Sequence, residues 1–562
     1  MMSSTKYTIG IDFGTLSGRA LLVRVSDGLE VGSTALEYPH AVMDEYLDTG
    51  DEKIKLPPDW ALEHPQDYLD VLASVIRTLL DQYHISAEDI IGVGIDFTSC
   101  TLLPVYSDGT PLCFDEKYRK IPHAYPILWK HHAAQPYANR INETAKSRGE
   151  KWLSRYGGKI SSEWLFPKIW QVLEESPAVY RDAYTFIEGG DWIVWQLTGE
   201  QTRNTCTLGY KAIYGEDGFP GKDFFKALDP RLENVVEDKL GGKVLPIGSR
   251  AGLVSEKGAA LTGLKAGTPV AAAVADAHVA VPALGIAAPG KMLAIMGTST
   301  CHMLVSDKNI PVPGICGVVK DGMIPGTYGY EAGQGCVGDH FAWLVENCAP
   351  MEYVKEAEER GIPLIRVMIE KAAVLKPGES GLLALDWWNG NRSILVDTDL
   401  SGMFLGMSLT TKAEELLRAL IEATAFGTRM IIENYRSHGV PVDEFYASGG
   451  IAIKDPFTMQ VYADIIGLDI KVAGTKQGPA LGSAIYASVA AGKSGGGYDT
   501  IQEASAAMGK LPDAVYHPIP EHQRVYDQIY AEYKLLHDYF GRGENNVMKR
   551  LRDIKTAIHF EK

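Results

Sequence analysis

The stretch YTIGIDFGTLSGRALLVR, residues 7–24, decides the fold. An apolar run suited to a buried strand ends at Asp12, glycine and small polar residues form a turn, and a second apolar run follows. The stretch KMLAIMGTSTCHMLV, residues 291–305, has the same layout around Gly297 and Thr298, about half the chain further on. This echo predicts two related domains that each open with a hairpin turned at glycine.

The rest of the chain alternates strand-like and helix-like segments. Runs rich in Ile, Val and Tyr recur, such as IIGVGIDF (90–97), PVAAAVAD (269–276) and DEFYASG (443–449). Long amphipathic segments separate them, such as PQDYLDVLASVIRTLLDQY (65–83). This alternation predicts an α/β protein. We place the boundary between the two halves near residues 287–290, and we expect helices in the last 40 or so residues.

Composition narrows the classes of function. The 562 residues carry 54 Lys and Arg against 71 Asp and Glu, a net charge of −17, which disfavours nucleic acid as a partner. Phosphate sites are therefore expected to be built from glycine turns. The start of the chain does not look like a signal peptide, and the most apolar stretch is interrupted by Asp276, His278 and prolines. Seven scattered cysteines without a paired motif are typical of free thiols, so we expect a cytoplasmic protein without a membrane partner.

The first hairpin is a candidate phosphate site. Asp12 ends the predicted strand, Gly14, Thr15 and Ser17 form the turn, and Arg19 returns on the next strand. The carboxylate suits Mg²⁺ or its water ligands, and the glycine lets backbone N–H groups approach an anion. A plain hairpin with a turn stabilised by Asp12 is the alternative for this segment alone.

A second glycine motif points to a different chemistry. GQGCVG, residues 333–338, matches the GxGxxG pattern of dinucleotide-binding proteins. The pattern needs a compact strand, turn, helix and second strand ending in an acidic residue. The following residues, NCAPMEYVKEAEERG, are instead typical of a helix. The motif alone is therefore weak evidence for an NAD-dependent oxidoreductase.

Taken together, four segments resemble the FGGY carbohydrate kinases of the actin-like ATPase superfamily. GIDFGT is similar to the first phosphate motif, MGTST to the second, FYASGGIAIKDPFTMQVYADIIG to the adenosine motif, and GPALGSAIYA to the segment that follows. The resemblance covers nearly the whole chain. It implies two ribonuclease H-like domains flanking a catalytic cleft: residues 1–288 for the sugar and the catalytic base, and residues 289–562 for ATP, with a C-terminal helical extension.

Segments of the first half narrow the substrate. YGGKISSEWLFPKIWQVLEESPAVY, EGGDWIVWQLTG, CTLGYKAIY and VADAH resemble the branch of the family that acts on the ketopentose L-ribulose. LWKHHAAQ (128–135) departs from the Trp-x-Asp-x-Arg pattern typical of glycerol and xylulose kinases. The resemblance implies phosphorylation of L-ribulose to L-ribulose 5-phosphate with ATP and Mg²⁺. Other family members, acting on D-ribulose or xylulose, are the alternative.

The resemblance also implies roles for individual residues. Asp276 would be the general base and would contact the sugar, together with Thr98, Lys211, Glu331 and Trp129. The nucleotide and its phosphates would be held by Asp12, Gly14, Thr15, Ser17, Arg19, Gly297, Thr298, Ser299, Gly449, Gly450 and Gly482, with Asp12 reaching Mg²⁺ through water. Structural alternatives stay open: Asp276 as a helix cap, Lys211 at the surface, Trp129 in the core, and the glycines as plain turns.

Two other classes of protein share some of these features. An actin-type or heat-shock-type ATPase would have both hairpins and the adenosine glycines but no sugar pocket. The interpretation as an NAD-dependent oxidoreductase would depend on the GQGCVG motif alone. The predicted ligands are small molecules, a ketopentose and ATP, and whether the chain forms a homo-oligomer stays open.

Overall fold

The computed structural model describes residues 5–560 of the chain. The strands of the first half are β1 (Tyr7–Phe13), β2 (Ser17–Arg24), β3 (Glu30–Glu37), β4 (Tyr46–Asp48), β5 (Lys53–Lys55), β6 (Ile90–Phe97), β7 (Leu102–Val105), β8 (Thr185–Glu188), β9 (Thr202–Asn204), β10 (Lys243–Leu245), β11 (Arg250–Leu253), β12 (Pro269–Ala271) and β13 (Val274–Ala275). The strands of the second half are β14 (Lys291–Met296), β15 (Thr300–Ser306), β16 (Gly317–Lys320), β17 (Tyr328–Gln334), β18 (Leu383–Leu385), β19 (Met403–Leu405), β20 (Glu444–Ser448), β21 (Ile470–Val472) and β22 (Ala514–Tyr516).

Helices surround these strands. The first half has α1 (Pro65–Gln82), α2 (Gln135–Arg148), α3 (Leu165–Glu175), α4 (Pro177–Asp182), α5 (Gly189–Thr198), α6 (Thr205–Lys211), α7 (Lys222–Leu228), α8 (Val235–Lys239), α9 (Glu256–Thr262) and α10 (Asp276–Ala283). The second half has α11 (Gly338–Cys348), α12 (Met351–Arg360), α13 (Leu364–Val374), α14 (Ala413–Ser437), α15 (Gly450–Lys454), α16 (Pro456–Ile466), α17 (Gly478–Ala491), α18 (Ile501–Met508), α19 (Pro520–Gly541) and α20 (Val547–Phe560).

Two seven-stranded sheets repeat one topology. In the first sheet, β1 pairs antiparallel with β2 and parallel with β6, and the strand order is β11-β12-β6-β1-β2-β3 with β13 beside β6. In the second, β14 pairs antiparallel with β15 and parallel with β20, in the order β16-β17-β15-β14-β20-β21-β22. The hairpin echo in the sequence therefore corresponds to a repeated sheet.

Helix α17 lies against the first sheet although it follows the second sheet's strands in the chain. A Cβ on Gly10 would collide with the Ala480 carbonyl, and a Cβ on Gly94 would collide with the Ser483 carbonyl. Glycine at these strand positions lets the helix approach the sheet closely. One buried apolar cluster consequently combines residues of both halves, including Leu21 of β2 and Leu481 of α17.

The remaining apolar clusters belong to one half each. The largest surrounds the second sheet and includes Trp387, Phe426 and Tyr533, with α19 packed on it. Within residues 5–560, no helix combines the length and the apolar character that crossing a membrane requires.

Candidate active site

Three aspartates meet at one edge of the first sheet. Asp12 and Asp96 lie opposite each other on the parallel strands β1 and β6, and the end of β13 lies beside the end of β6. Asp276 follows β13 directly as the first residue of α10. Because parallel strands bring their carboxyl ends to the same edge, the fold places the three carboxylates together.

Burial and mutual repulsion disturb the titration of these carboxylates. Burial raises the pKa of Asp12, while Arg19, with its Nε 3.3 Å from Asp12 Oδ2, acts to lower it. Burial and then Asp12 raise the pKa of Asp96 far above its ordinary value, although Ser483 donates a hydrogen bond of 2.6 Å to it. Burial and the charge of Asp12 raise the pKa of Asp276 to about 7. Asp276 is therefore poised to hold or release a proton near neutral pH.

The same group has the chemistry of a divalent cation site. Among residues 5–560, Arg19 is the only cationic side chain paired with any of the three aspartates. Asp96 Oδ1 is buried and accepts no hydrogen bond from any described residue. Clustered carboxylate oxygens with uncompensated negative charge are the ligands that Mg²⁺ prefers, so these residues fit the ion predicted from the sequence.

A cavity of about 470 Å³ opens beside the aspartates and between the two halves. Asp12, Gly14 and Asp276 form one wall of the cavity, and Gly449 and Gly450 form part of the other. Further lining residues that the sequence analysis did not single out are Ile295, Ser448, Lys454, Thr475, Lys476 and Gly478. Four residues that were predicted to bind the nucleotide, at positions 12, 14, 449 and 450, therefore line one cavity.

The two glycine turns are each closed by a hydrogen bond from the glycine N–H, and the second turn is one residue shorter than the first. The Gly14 N–H donates to the Ser17 carbonyl at 3.0 Å, and the Gly297 N–H donates to the Ser299 carbonyl at 2.9 Å. Gly297 and Thr298 are exposed. The Thr298 carbonyl accepts a hydrogen bond of 2.7 Å from the Val337 N–H, so the second turn rests on the segment that follows β17.

That segment contains the GxGxxG motif, whose glycines have a packing role here. Gly333 lies in β17 and Gly338 begins α11, and the Gly338 N–H donates to the Gly297 carbonyl at 3.0 Å. The helix α11 leads into α12 rather than into a parallel strand. The motif therefore lacks the strand, helix and strand unit of a dinucleotide site, as the sequence analysis expected.

Gly482 does not line the cavity that Asp12, Gly14, Gly449 and Gly450 share. It is buried in α17, and a Cβ there would collide with the Val279 carbonyl of α10. Glycine at this position is explained by close packing of the two helices. Gly478, at the start of the same helix, lines the cavity instead.

Trp129 lies next to the first glycine turn. Its Nε1 donates a hydrogen bond of 3.2 Å to Thr15 Oγ1, and the side chain is 38% exposed, so it is not a core tryptophan. The buried Lys168 Nζ holds the preceding segment by donating to the Leu128 carbonyl at 2.9 Å and the Cys100 carbonyl at 2.6 Å. Thr98 is also buried in this region, with its Oγ1 2.7 Å from Thr101 Oγ1.

Charged side chains from both halves meet on the predicted sugar side. Lys211, at the end of α6, lies with its Nζ 3.6 Å from Glu163 Oε2. Glu331 of β17 receives a hydrogen bond of 2.7 Å from Arg392 Nη2, and its other oxygen lies 3.3 Å from His278 Nε2. Lys211 is buried, so it is not a surface lysine.

Mutual attraction keeps these groups charged. Burial acts to raise the pKa of Glu331, but Lys211, His278 and Arg392 outweigh it and hold the pKa below its ordinary value. Burial acts to lower the pKa of Lys211, but Glu331 and Glu163 outweigh it and raise the pKa. An ionised lysine and an ionised glutamate inside a cleft can both bind sugar hydroxyl groups. The lysine donates to a hydroxyl oxygen, and the glutamate accepts from a hydroxyl O–H.

Three important residues escaped the sequence analysis: Asp96, Glu163 and Arg392. Asp96 had a signal, because Gly-Ile-Asp-Phe occurs at residues 10–13 and again at residues 94–97. Glu163 and Arg392 had none, since their partners Lys211 and Glu331 are distant in the chain and no local spacing relates them.

A second group of possible metal ligands lies outside the cleft. The ligand atoms of His40, His64 and Asp67 lie within 4.8 Å of one another. His40 Nδ1 lies 2.7 Å from Asp67 Oδ1, and His64 Nδ1 accepts the Gln66 N–H at the start of α1. The two rings stack nearly parallel at 4.2 Å, so their lone pairs do not converge on one point. Local hydrogen bonding accounts for this group.

Comparison with known proteins identifies the family. Residues 7–283 match the FGGY family of carbohydrate kinases, N-terminal domain, and residues 292–491 match its C-terminal domain. The protein named Ribulokinase from Bacillus licheniformis is 57% identical over 96% of this chain and 98% of its own length. A protein of the same name from Anoxybacillus flavithermus is 53% identical over 98% of each chain.

Solved structures show the same fold at lower identity. A xylulose kinase from Rhodospirillum rubrum has a TM-score of 0.76 at 22% identity and covers 95% of this chain and 99% of its own. A gluconate kinase from Lactobacillus acidophilus has a TM-score of 0.77 at 18% identity, covering 96% and 99%. The predicted fold of two sheet-based α/β domains of the actin-like ATPase type is thereby confirmed. The chain is a member of the FGGY family of carbohydrate kinases.

Proposed function

We propose that the protein transfers the γ-phosphoryl group of ATP to a ketopentose, with L-ribulose as main substrate and L-ribulose 5-phosphate as product. The observation that carries the proposal is the 57% identity, over nearly the full length, to a protein named Ribulokinase. The aspartate group, the adjoining cavity and the charged pairs on the sugar side support it with the parts that phosphoryl transfer requires.

Asp276 is proposed as the general base. A hydroxyl oxygen of the sugar attacks the γ-phosphorus, a new O–P bond forms, and the bond to the bridging oxygen breaks with its electrons leaving on ADP. The hydroxyl proton passes to the carboxylate of Asp276. A pKa of about 7 suits this role, because a substantial fraction of the group is ionised at neutral pH and the carboxylate is more basic than an ordinary aspartate.

Asp12 is proposed to hold Mg²⁺, through water, with Asp96 and Asp276 beside it. The ion would neutralise charge that develops on the phosphate oxygens. In its absence, Arg19 is the cation that offsets part of the charge of Asp12. Asp96 lies deepest, and its bond from Ser483 fixes one oxygen so that the other faces its fellow aspartates.

The two glycine turns and the cavity are proposed to hold the nucleotide. Gly14, Thr15 and Ser17 would contact the phosphates from the first half, and Gly297, Thr298 and Ser299 would do so from the second. Gly449 has a φ of +91°, and a Cβ there would collide with the Met296 carbonyl, so no other residue fits this wall of the cavity without strain. Gly482 would act indirectly, by allowing α17 to pack on α10.

Thr98, Lys211, Glu331 and Trp129 are proposed to bind the sugar. The residue range 1–288 would carry the sugar site and residues 289–562 most of the nucleotide site, but Glu331 reaches the sugar from the second half. We also propose that the protein works in the cytoplasm, because none of its seven cysteines is in a disulfide and a reducing compartment keeps thiols free.

A coupled assay of ADP release tests the proposal. The purified protein is offered MgATP with L-ribulose, D-ribulose, L-xylulose, D-xylulose, ribitol or glycerol, and kcat/KM is compared. We expect the largest value for L-ribulose and no ADP release without an acceptor. Equal ADP release without any sugar would point to an ATPase and refute the proposal, and a preference for xylulose would refute the choice of substrate.

A further inference from the structure

Arg392 reaches the sugar side of the cleft from an irregular segment between β18 and β19. Its Nη2 donates a hydrogen bond of 2.7 Å to Glu331 Oε1. Glu331 is nearly buried, at 5% side-chain exposure, whereas Arg392 is 32% exposed. The partly exposed guanidinium group therefore fixes the buried carboxylate of Glu331 with one N–H group. Its remaining N–H groups are available for other partners.

The first glycine of GQGCVG makes room for this arginine. A Cβ on Gly333 would lie 2.9 Å from Arg392 Nη1 and 3.0 Å from the Thr300 carbonyl oxygen, so the guanidinium group would have to shift from this position. The Gly333 N–H donates to Ser393 Oγ at 3.2 Å, so β17 also anchors the residue that follows Arg392. The motif that looked like a weak nucleotide fingerprint serves, at this position, to admit Arg392 beside Glu331.

The charges around Arg392 alternate across the boundary between the two halves. Glu163 and Lys211 belong to the first half, and Glu331 and Arg392 belong to the second. Lys211 acts on the pKa of Glu331 across this boundary, and Arg392 acts on that of Glu163 in the same way. Each carboxylate is thus faced by a cation from its own half and by one from the other half, which draws the two halves together at this place.

Each carboxylate oxygen of Glu331 lies beside one protein group and keeps a lone pair that can accept a further hydrogen bond. Oε1 accepts from Arg392, and Oε2 faces His278 Nε2 at 3.3 Å, while the His278 ring packs on Tyr210 with 4.1 Å between ring centroids. The hydrogen bond from Arg392 fixes Oε1, and the neighbouring His278 ring, whose Nε2 makes no hydrogen bond to a described residue, limits rotation of the carboxylate. A sugar hydroxyl then meets an acceptor that is already oriented.

We propose that Arg392 is a positioning residue for sugar recognition, which orients Glu331 toward a hydroxyl of the ketopentose. This inference rests on the proposed function, because it assigns Glu331 to the sugar. Arg392 has no contact with the aspartate group among the described residues, so it acts on binding of the acceptor and not on the transfer step.

The test is a set of variants with separate KM values for L-ribulose and MgATP. For Arg392→Met we expect KM for L-ribulose to rise about 10-fold to 100-fold, because Glu331 loses the donor that fixes Oε1 and is no longer held toward the sugar. KM for MgATP and kcat should change less than about threefold. Arg392→Lys should recover only part of the affinity, because an ammonium group lacks the planar fork.

A double-mutant cycle separates action through Glu331 from a general effect. In the Glu331→Gln background, Arg392→Met should raise KM for L-ribulose by less than about twofold, because the group that it positions is gone. Arg360→Met is the matched control, since Arg360 is an arginine at the end of α12 that pairs with Glu356 and Glu370. Melting temperatures of all variants are measured in parallel.

Several outcomes overturn the inference. They are an unchanged KM for L-ribulose in Arg392→Met, an equal rise in both KM values, and effects of Arg392→Met and Glu331→Gln that multiply in the double variant. If Arg392→Met does not fold, Arg392→Lys and Arg392→Gln are compared in the same cycle. A wild-type protein that phosphorylates no ketopentose refutes the proposed function itself, whereas an active wild type with an indifferent Arg392 refutes only this inference.

Discussion

The two halves of the molecule share a hairpin and differ in what it carries. In the first half, Asp12 of β1 lies opposite Arg19 on β2 and Asp96 on β6. In the second half, Ile295 of β14 occupies the matching place, opposite Cys301 on β15 and Ser448 on β20. One backbone arrangement thus supports a charged group in one copy and a neutral group in the other.

This difference is consistent with the two tasks that we propose for the halves of the molecule. Charge at the first edge suits a cation and a proton acceptor, which phosphoryl transfer needs. At the second edge, the neutral residues Ile295, Ser448 and Gly449 line the same cavity, and Lys454 and Lys476 add positive charge elsewhere in its wall. The two related sheets supply two walls of a cleft, and the side chains at their strand ends give the walls different charge.

The largest expected effect comes from removing Asp276, the proposed base. Asp276→Asn keeps the size of the side chain and an oxygen that can accept the Ala277 N–H, a bond of 2.7 Å in the wild type. We expect kcat with L-ribulose to fall about 10²-fold to 10⁴-fold, because the proton acceptor is lost. The melting temperature should stay nearly constant. A kcat within about threefold of wild type would mean that Asp276 is a helix cap only.

The second prediction concerns Asp12→Asn, which removes the charge at the strand position that matches Ile295 in the second half. In the wild type, kcat/KM should fall about tenfold for each pH unit below about 7, because Asp276 must be ionised and its pKa is about 7. Asp12→Asn removes a negative charge that raises this pKa, so the break should move to lower pH. It should also lower kcat/KM for MgATP at least about tenfold.

Profiles measured with both substrates well below saturation check this shift. Asp27→Asn is the control, since Asp27 is an exposed aspartate that pairs with Arg24 at the far end of β2. A break that stays in place in Asp12→Asn, or that moves upward, would show that the two carboxylates do not interact.

A third change tests the neutral half. Gly449→Ala puts a Cβ against the Met296 carbonyl at a φ of +91°, which should cost about 1 to 3 kcal/mol of unfolding free energy and raise KM for MgATP. Gly450→Ala is the matched control for stability, because a Cβ there meets nothing within 4 Å. Urea unfolding measures both. Equal stability of the two variants would contradict the close approach at Gly449.

The smallest effect is expected at Ser483, where helix α17 donates a hydrogen bond to Asp96. Ser483→Ala removes the hydrogen bond of 2.6 Å to Asp96 and should cost about 1 kcal/mol of unfolding free energy, with kcat nearly unchanged. Ser488→Ala in the same helix is the control, since its hydroxyl bonds only the Ile485 carbonyl one turn earlier. If both variants lose the same stability, the bond to Asp96 has no special weight.

Local patterns predicted many elements of the fold, although the run at residues 269–276 forms two short strands, β12 and β13, and the first residue of α10. The apolar runs at residues 90–97 and 443–449 form β6 and β20, and the amphipathic segment at residues 65–83 forms α1. Such segments are encoded by neighbours in the chain, through side-chain period and turn residues. The position of Gly482 escaped this reasoning, because glycine between two packed helices has the same local appearance as glycine at a phosphate site.

The sequence by itself determined the α/β class, the two glycine-turned hairpins and the membership of a carbohydrate kinase family, since each of these rests on residues adjacent in the chain or on long matching segments. Only the tertiary structure decided that Asp96 joins Asp12 and Asp276, and that Arg392 meets Glu331. These meetings depend on strand register and on packing between distant segments, and no local spacing encodes either.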